Sequence, residues 1–241
     1  MIKKQTVHWI VSATAHYLST LNYSLKSLHN LLPQNNFEFR VTIVTNPNNE
    51  ELPRIKSNVE IILKNKNTYN ISEIEFVDCP PFPWPVLTLY KPFICTEYIR
   101  PDDDFIFAGN CNLLIHENDF SWFDEEKINI SWHHSHPEPF GNSKPYYVQG
   151  GFVLAKKELT KMLCETWQRR INFFVQSEHK IPDWHDETVL NELFNSSQLH
   201  ELFKPTFKFY VDPLKKEPDA FVQLCLNHVN NQFKGEKWCK K

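Results

Sequence analysis

Glycine is scarce in this chain, which has five glycines among 241 residues beside 16 prolines. Average glycine usage in proteins is about 7%. Many nucleotide-binding loops need closely spaced glycines, so that the backbone can approach the phosphates. The shortage therefore argues against a glycine-rich phosphate loop, and any phosphate-binding site should depend on side chains.

A positive charge excess and long apolar runs are also missing. The chain has 26 Lys and Arg residues against 29 Asp and Glu residues, a formal net charge of −3, whereas nucleic-acid-binding proteins normally show a basic excess or stripe. No apolar stretch reaches the roughly 18 residues of a membrane-spanning helix, and the first residues do not resemble a signal peptide. We therefore expect a soluble cytoplasmic protein with no nucleic-acid partner.

Cysteine is present but shows no pattern. The six cysteines are scattered along the chain and form no C-x-x-C motif. A disulfide framework is unexpected in a chain of this length. We expect free thiols in a reducing compartment.

Hydrophobic patterning predicts an α/β fold. Hydrophobic residues make up 41% of the chain and charged residues 23%, as in folded soluble proteins, and the length favours a single domain. Strand patterns over Val7–Ala13 and Phe37–Thr45 enclose a helical leucine stripe over Tyr17–Leu32, which predicts a β-α-β unit. A third strand is predicted at Asn58–Leu63.

The remaining elements follow the same alternation. Residues 78–85 form a proline-rich loop, residues 116–149 are loop-rich, and Pro92 should lie near the start or at a kink of its helix. The other predicted elements are strands at Asp104–Ala108, Leu113–Ile115, Gly150–Leu154 and Thr206–Val211, and helices at Val86–Ile99, Lys156–Phe174, Asp186–Phe194 and Phe221–Val229.

The triplet Asn110-Cys111-Asn112 directly follows a predicted buried strand. Ligands of α/β sheets bind at the carboxyl ends of strands. Two aspartates at these positions would hold a divalent cation, but asparagine amides are poor ligands for a hard cation and can instead hydrogen-bond ribose or phosphate oxygens. The alternative is a turn that ends the strand, since asparagine is common in turns.

The segment Trp184-His185-Asp186-Glu187 lies at the start of a predicted helix. Acidic residues favour helix N-termini, so a capping cluster is one interpretation. The other is a sugar site. A tryptophan face packs against sugar C–H groups, and a carboxylate can bind hydroxyl groups or act as a base, a nucleophile or a cation stabiliser.

Two further motifs have open interpretations. His133, His134 and His136 could join the acidic residues near position 186 in a metal site, although no metal-ligand spacing is present, and a ligand-facing or solvated loop is the alternative. The adjacent Gly150 and Gly151 between aromatic residues indicate a close approach to another strand or a ligand, or else a β-bulge or tight turn.

The order and spacing of several motifs together carry a family resemblance. They are Val44-Thr45-Asn46, Trp84-Pro85 with Thr88-Leu89 and Lys91, Asn110-Cys111-Asn112, His136-Pro137, Tyr146-Tyr147 with Gly150-Gly151, and Trp184-His185-Asp186-Glu187 with Leu190-Asn191. This set resembles glycosyltransferase family six, which contains the A and B histo-blood-group transferases, the α-1,3-galactosyltransferases and their bacterial relatives. The Asn-x-Asn triplet is similar to that of a bacterial subgroup thought to work without metal.

The resemblance implies a fold, an activity and partners. The fold would be a single GT-A-type nucleotide-diphospho-sugar transferase domain, with a mixed central sheet flanked by helices. Residues 1–115 would form the nucleotide-binding half, 116–225 the acceptor and catalytic half, and 226–241 a basic tail. The enzyme would move galactose or N-acetylgalactosamine from UDP to the 3-hydroxyl of a β-galactoside, with retention of the α-configuration. The acceptor would be a bacterial oligosaccharide or glycolipid, which allows peripheral membrane contact, and no cofactor is expected.

The resemblance also assigns residue roles. Glu187 would be the centre of chemistry, either as a nucleophile or as the stabiliser of an oxocarbenium ion. Lys234 and Lys237 are preferred among the tail lysines because they flank Gly235, a possible hinge. The donor-binding residues would be Asn110, Asn112, Lys91, Leu87, Gly150, Lys234 and Lys237. The acceptor-binding residues would be His136, Trp184, Asp186 and Asp212.

Two other functions stay open on the sequence. One is a metal-dependent transferase of another sugar, with the histidine cluster or Asp102-Asp103-Asp104 as ligands. The other is a non-catalytic carbohydrate-binding protein on the same fold. The donor sugar also stays open, because residues 149–154 differ from the family segment that helps choose between galactose and its N-acetylamino form.

Overall fold

A mixed seven-stranded sheet forms the centre of the chain in the computed structural model. The structure describes residues 3–13, 17–18, 20–48, 50, 52–80, 86–133, 147–179, 181–182, 185–196, 199–208 and 222–224. The strands are β1 (Gln5–Ser12), β2 (Phe37–Thr45), β3 (Ile71–Asp78), β4 (Phe105–Gly109), β5 (Leu113–Ile115), β6 (Ile128–His133), β7 (Tyr147–Lys156), β8 (Phe203–Lys208) and β9 (Val222–Leu224). The main sheet has the order β3-β2-β1-β4-β7-β6-β8, and β5 pairs with β9 in a separate two-stranded sheet.

The strand order creates a switch point between β1 and β4. Strands β3, β2, β1 and β4 are parallel, β7 is antiparallel to both β4 and β6, and β8 is parallel to β6. The chain first builds outward from β1 to β3 and then crosses to the other side of β1 to form β4. In open α/β sheets, such a reversal leaves a crevice at the carboxyl ends of the strands. In this chain that position is where β1 ends at Ser12 and β4 ends at Gly109.

Helices cover both faces of the sheet. The helices are α1 (Leu21–Ser27), α2 (Leu52–Lys64), α3 (Lys66–Tyr69), α4 (Val86–Leu89), α5 (Lys91–Tyr98), α6 (Lys157–Ser177) and α7 (His185–Phe194), with short 3₁₀ turns at Leu28–Asn30 and His200–Leu202. The core on one face contains side chains of α1 and α2, and the core on the other contains side chains of α5, α6 and α7. Alternate residues of β1 enter the two cores, with Trp9 on the first face and Ile10 on the second. Burial on both faces explains the continuous apolar runs of the inner strands.

The first half of the chain confirms the β-α-β prediction and corrects one element. Strand β2 has the predicted bounds, and the helix within Tyr17–Leu32 spans Leu21–Ser27 before it tightens into a 3₁₀ turn. The predicted strand at Asn58–Leu63 is wrong, because these residues belong to α2. Leu52, Ile55, Val59 and Ile62 form its buried stripe, which is the helical period.

Later elements contain further corrections. The third strand is β3, which the sequence did not predict, and the loop-rich region 116–149 contains β6. The helix predicted over Val86–Ile99 is broken at Tyr90 into α4 and α5, with Pro92 in the first turn of α5, where proline is tolerated. The helix predicted at Phe221–Val229 is wrong over its described part, since β9 forms there and pairs with β5. The strand predicted at Thr206–Val211 is observed over Phe203–Lys208. The last three residues of the prediction, 209–211, lie outside the described residues.

Both predicted halves of the domain contribute to the main sheet, because β4 pairs with β7.

Four cysteines, Cys79, Cys95, Cys111 and Cys164, are buried free thiols, as predicted. Cys225 and Cys239 lie outside the described residues. Within the described ranges, no helix combines the length and the apolar composition needed to cross a membrane.

Candidate active site

Five residues from four separate parts of the sequence meet near the carboxyl end of β4. We call Lys91, Asn110, Gly150, Asp186 and Glu187 the Lys91 cluster. The Lys91 ammonium donates hydrogen bonds to the Gly150 carbonyl oxygen at 2.7 Å, to Asp186 Oδ2 at 3.0 Å and to Asn110 Oδ1 at 3.4 Å. One cation thus connects the start of α5, the end of β4, the middle of β7 and the first turn of α7.

Lys91 and Asp186 form a mostly buried ion pair. Their side chains are 13% and 8% exposed. Two charges removed from water are tolerated only when they face each other and their remaining hydrogen-bonding groups are satisfied. The backbone carbonyl of Asp186 is also held, since the Trp167 indole N–H of α6 donates to it at 3.2 Å. Asp186, predicted to bind the acceptor, is therefore firmly fixed beside Lys91.

The two adjacent glycines lie in a bulge of β7. Ile130 and Ser131 are neighbours on β6, yet their partners on β7 are Val153 and Gln149, so residues 150–152 are unmatched on that side. A Cβ atom at Gly150 would lie 3.0 Å from Asp186 Oδ2 and 3.5 Å from Glu187 Cγ. The bulge interpretation of the glycine pair is therefore correct, and the backbone at Gly150 closely approaches acidic side chains of α7 rather than another strand.

Glu187 is held through both of its carboxyl oxygens. The Gly150 backbone N–H donates to Oε1 at 3.2 Å, and the Tyr147 hydroxyl donates to Oε2 at 3.4 Å. Burial, followed by the negative charge of Asp186, raises the pKa of Glu187 to about 7, although Lys91, the Gly150 N–H and the Tyr147 hydroxyl act in the opposite direction. A carboxyl group with a strongly perturbed pKa in a crevice is typical of a functional site.

Asn191 fixes the helix of Glu187 to the strand of Gly150. It follows Glu187 by one turn, is buried, accepts a hydrogen bond from the Val148 N–H at 2.9 Å and donates to the Val148 carbonyl at 2.8 Å. The same amide nitrogen donates to the Glu187 carbonyl at 2.8 Å. These two hydrogen bonds between Asn191 and Val148 fix the position of α7, and so of Glu187, relative to Gly150 on β7.

The other predicted site residues have different outcomes. Asn112 is buried, and in the described part of the chain no hydrogen bond joins it to the Lys91 cluster. Leu87 lies on α4 and packs against the core that contains α5, α6 and α7. The predicted residues that lie outside the described ones are His136, Trp184, Asp212, Lys234 and Lys237.

The strand before the basic tail ends close to the asparagine triplet. Strand β9 runs antiparallel to β5, with Leu224 opposite Leu113, and Leu113 directly follows Asn112. Lys234 and Lys237 follow this strand in the sequence and lie outside the described residues.

The acidic triplet Asp102-Asp103-Asp104, one of the alternative metal sites, forms structural hydrogen bonds and ion pairs. Asp103 Oδ2 lies 2.7 Å from His8 Nδ1, Arg40 bonds Asp103 at 2.7 Å and Asp102 at 2.8 Å, and Asp104 accepts the Thr6 backbone N–H at 2.7 Å. These aspartates precede β4, whereas Asn110 follows it, so the two triplets lie at opposite ends of the strand. Asp102–Asp104 thus form a structural ion-pair network and are not ligands at the crevice. Of the histidine cluster, His134 and His136 lie outside the described residues.

Tyr147 and Asn191 were quoted in the motifs but given no role from the sequence. Asn191 could have been found, since a residue four positions after Glu187 on a helix lies on the same face. Tyr147 could not, because the alternation pattern does not tell which side chains of β7 face α7.

No model of a known protein family matches the chain, and no curated protein matches it significantly. The Lys91 cluster and the crevice around it therefore carry the functional interpretation.

Proposed function

We propose that this chain is a retaining α-1,3-glycosyltransferase that moves galactose or N-acetylgalactosamine from UDP to a β-galactoside. The observation that carries the proposal is the meeting of Lys91, Asn110, Gly150, Asp186 and Glu187 at the crevice of the sheet. These residues come from four motifs that carry the resemblance to glycosyltransferase family six. The mixed sheet with helices on both faces is compatible with a GT-A-type domain.

The donor diphosphate is placed beside Asn110 and Lys91. When the sugar leaves, UDP gains negative charge, and directed N–H donors and cations stabilise that charge in a site with little water. The Asn110 amide offers an N–H₂ group, and the Lys91 ammonium lies within 3.4 Å of the amide oxygen. Asn112, together with Lys234 and Lys237 of the tail, completes the proposed donor side.

We place the sugar ring beside Gly150, with Glu187 at the reacting carbon. The absence of a side chain at Gly150 lets Asp186, Glu187 and Lys91 approach its backbone closely. The bond between the anomeric carbon and the diphosphate oxygen breaks, and its electron pair leaves with UDP. Retention then requires either a covalent bond from Glu187 to that carbon, later broken by the acceptor oxygen, or front-face attack on a cation that Glu187 stabilises.

Metal independence follows from the chemistry of the donor side. Amide oxygens are weak ligands for a hard divalent cation, and the oxygen of Asn110 already accepts a hydrogen bond from an ammonium group. The charge of the leaving UDP would instead be met by directed N–H donors and by the tail lysines. The aspartates of the alternative metal site are bound in ion pairs at the far end of β4.

The acceptor side is proposed from the motifs. Trp184 and His136 would contact the acceptor galactose, with Asp186 and Asp212 hydrogen-bonded to its hydroxyl groups. The acceptor would be a surface oligosaccharide or glycolipid made in the bacterial cytoplasm, and a glycolipid acceptor would bring the protein into contact with the membrane surface.

A donor screen tests the proposal. Turnover of UDP-galactose, UDP-N-acetylgalactosamine, UDP-glucose and UDP-N-acetylglucosamine is measured with lactose as acceptor, in EDTA and with added Mn²⁺, and NMR determines the anomeric configuration of the product. We expect an α-linked product from one of the first two donors, at the same rate in EDTA. Loss of turnover in EDTA that Mn²⁺ restores would indicate the metal-dependent transferase. Sugar binding without turnover would indicate a carbohydrate-binding protein, and no binding of any donor would reject the family interpretation.

A further inference from the structure

The side chain of Tyr147 is buried against the carboxyl group of Glu187. Its hydroxyl lies 3.4 Å from Oε2, while the Gly150 N–H binds Oε1 at 3.2 Å. Strand β7 therefore binds both oxygens of the same carboxyl group, once through a side chain and once through the backbone. Hydrogen bonds in ligand-free active sites are often long and shorten when the substrate is bound.

The bulge in β7 makes this double contact possible. In a regular strand, side chains point out of the sheet while backbone N–H groups point at the neighbouring strands, so a side chain and an N–H group would not meet the same carboxyl group. Residues 150–152 have no partner on β6, and the Gly150 N–H donates to Glu187 instead. The irregular strand thus directs a phenol and an N–H group at one carboxyl group.

We propose that Tyr147 is a positioning residue that orients Glu187 and stabilises its ionised form by donating a hydrogen bond. The consequence for catalysis rests on the proposed glycosyl transfer, whereas the contact itself does not. No proton is transferred between the two groups, because the phenol keeps its proton and uses it only to donate a hydrogen bond. Burial and the neighbouring charge of Glu187 raise the pKa of Tyr147 above its ordinary value, so the phenol is a donor at neutral pH.

Among the described side chains that change the pKa of Glu187, Tyr147 is the uncharged one. Asp186 on the same helix raises the pKa of Glu187, while Lys91 at the start of α5 and Tyr147 on β7 lower it. Substitution of Lys91 or Asp186 would break the buried ion pair, whereas Tyr147→Phe removes one hydroxyl group and leaves that pair intact. The variant therefore isolates the effect of the hydrogen bond on Glu187.

The test is an infrared titration of Glu187 in the whole, ligand-free protein. The carboxyl band of protonated Glu187 is assigned from its absence in Glu187→Gln and is followed from pH 4 to pH 9. We expect the midpoint to move to higher pH in Tyr147→Phe, because a hydrogen bond to the charged form is lost. Tyr69→Phe is the control, since Tyr69 packs against the core on the opposite face of the sheet.

A second variant keeps the proposal testable even where the Tyr147→Phe protein does not fold. Replacement of Tyr147 by 3-fluorotyrosine keeps the shape of the side chain and makes the phenol a stronger donor, so the midpoint should move to lower pH. Opposite shifts in the two variants would support the proposal. An unchanged midpoint in either folded variant, or an equal shift in Tyr69→Phe, would overturn it.

Turnover separates this inference from the proposed function. With an active donor, Tyr147→Phe should lower kcat between roughly tenfold and a hundredfold, the fold-change that corresponds to a lost hydrogen bond on a charged group, while KM stays nearly unchanged. The acid limb of the kcat profile should move in the same direction as the infrared midpoint. A shifted midpoint in a protein that turns over no donor would keep the role of Tyr147 and reject glycosyl transfer. An unchanged midpoint in an active protein would reject the role of Tyr147 alone.

Discussion

Lys91 is the residue on which the geometry of the candidate site depends most. Its ammonium group is the shared partner of a backbone carbonyl, a carboxylate and an amide oxygen. The family resemblance implied that Lys91 binds the donor. The structure places Lys91 beside Asn110. Its ion pair with Asp186 was not predicted, because nothing in the sequence tells which residues of α5 and α7 face each other.

Removal of the Lys91 charge should destabilise the protein strongly. In Lys91→Met the Asp186 carboxylate loses its partner, which typically costs about 3 to 5 kcal/mol of unfolding free energy for a buried pair. The double variant Lys91→Met/Asp186→Asn should recover part of this loss, because no uncompensated charge is left. Urea unfolding measures both, with Lys64→Met at the exposed end of α2 as the control. A Lys91→Met protein as stable as the control would contradict the buried ion pair.

Glu187 should make stability depend on pH. Its folded-state pKa of about 7 lies above the ordinary value of 4.5, so folding favours the protonated form. The stabilisation is complete below about pH 4.5 and is lost as the pH rises through 7. Glu187→Gln cannot ionise, so its stability relative to the wild type should rise between pH 5 and pH 8, by at most about 3 kcal/mol. Urea unfolding at both pH values checks this, and equal differences at the two would mean that Glu187 is not perturbed.

At the scale of elements, patterning predicted some elements correctly and failed at others. Strand β2 is an apolar run closed by a turn, and its bounds were predicted correctly. Residues 59–63 are rich in β-branched side chains but belong to α2, where Ile62 is buried and Ile61 is 53% exposed. Tertiary packing overrode local propensity there. Strand β6 was missed because its region is dominated by polar and proline residues.

The bulge of β7 should couple to donor binding. A Cβ atom at Gly151 would lie 2.7 Å from Asn110 Nδ2 and 2.5 Å from Gln149 Oε1. Gly151→Ala should therefore displace both side chains, with a cost of about 1 to 3 kcal/mol in stability. It should also lower UDP affinity roughly tenfold, the effect of one lost hydrogen bond to a charged group.

Calorimetry with UDP and thermal unfolding measure the two effects of Gly151→Ala. The double variant Gln149→Ala/Gly151→Ala separates the two contacts, because it relieves the contact with Gln149 and keeps the one with Asn110. It should regain stability without regaining UDP affinity. Unchanged UDP affinity in Gly151→Ala would remove Asn110 from the donor side.

At the scale of the whole molecule, the sheet brings together residues that are far apart in the chain. Lys91 and Glu187 are separated by 96 positions yet share Gly150 as a hydrogen-bond partner. The sequence could predict which motifs carry chemistry and that strand ends would hold them, because these depend on residue type and local pattern. It could not predict that Asn112 is buried, because this depends on how β5 packs against α1 and β9.

The central claim is that Glu187 performs the chemistry of glycosyl transfer at this crevice. The most direct measurement is the turnover of the best UDP-sugar donor by Glu187→Gln at neutral pH. Its matched control is Glu192→Gln on the same helix, where Glu192 pairs with Arg170 at a partly exposed position. We expect Glu187→Gln to lose roughly 10²- to 10⁴-fold in kcat, as for loss of a group that acts directly in the reaction, with UDP affinity retained. Turnover by Glu187→Gln at the rate of Glu192→Gln and the wild type would contradict the claim.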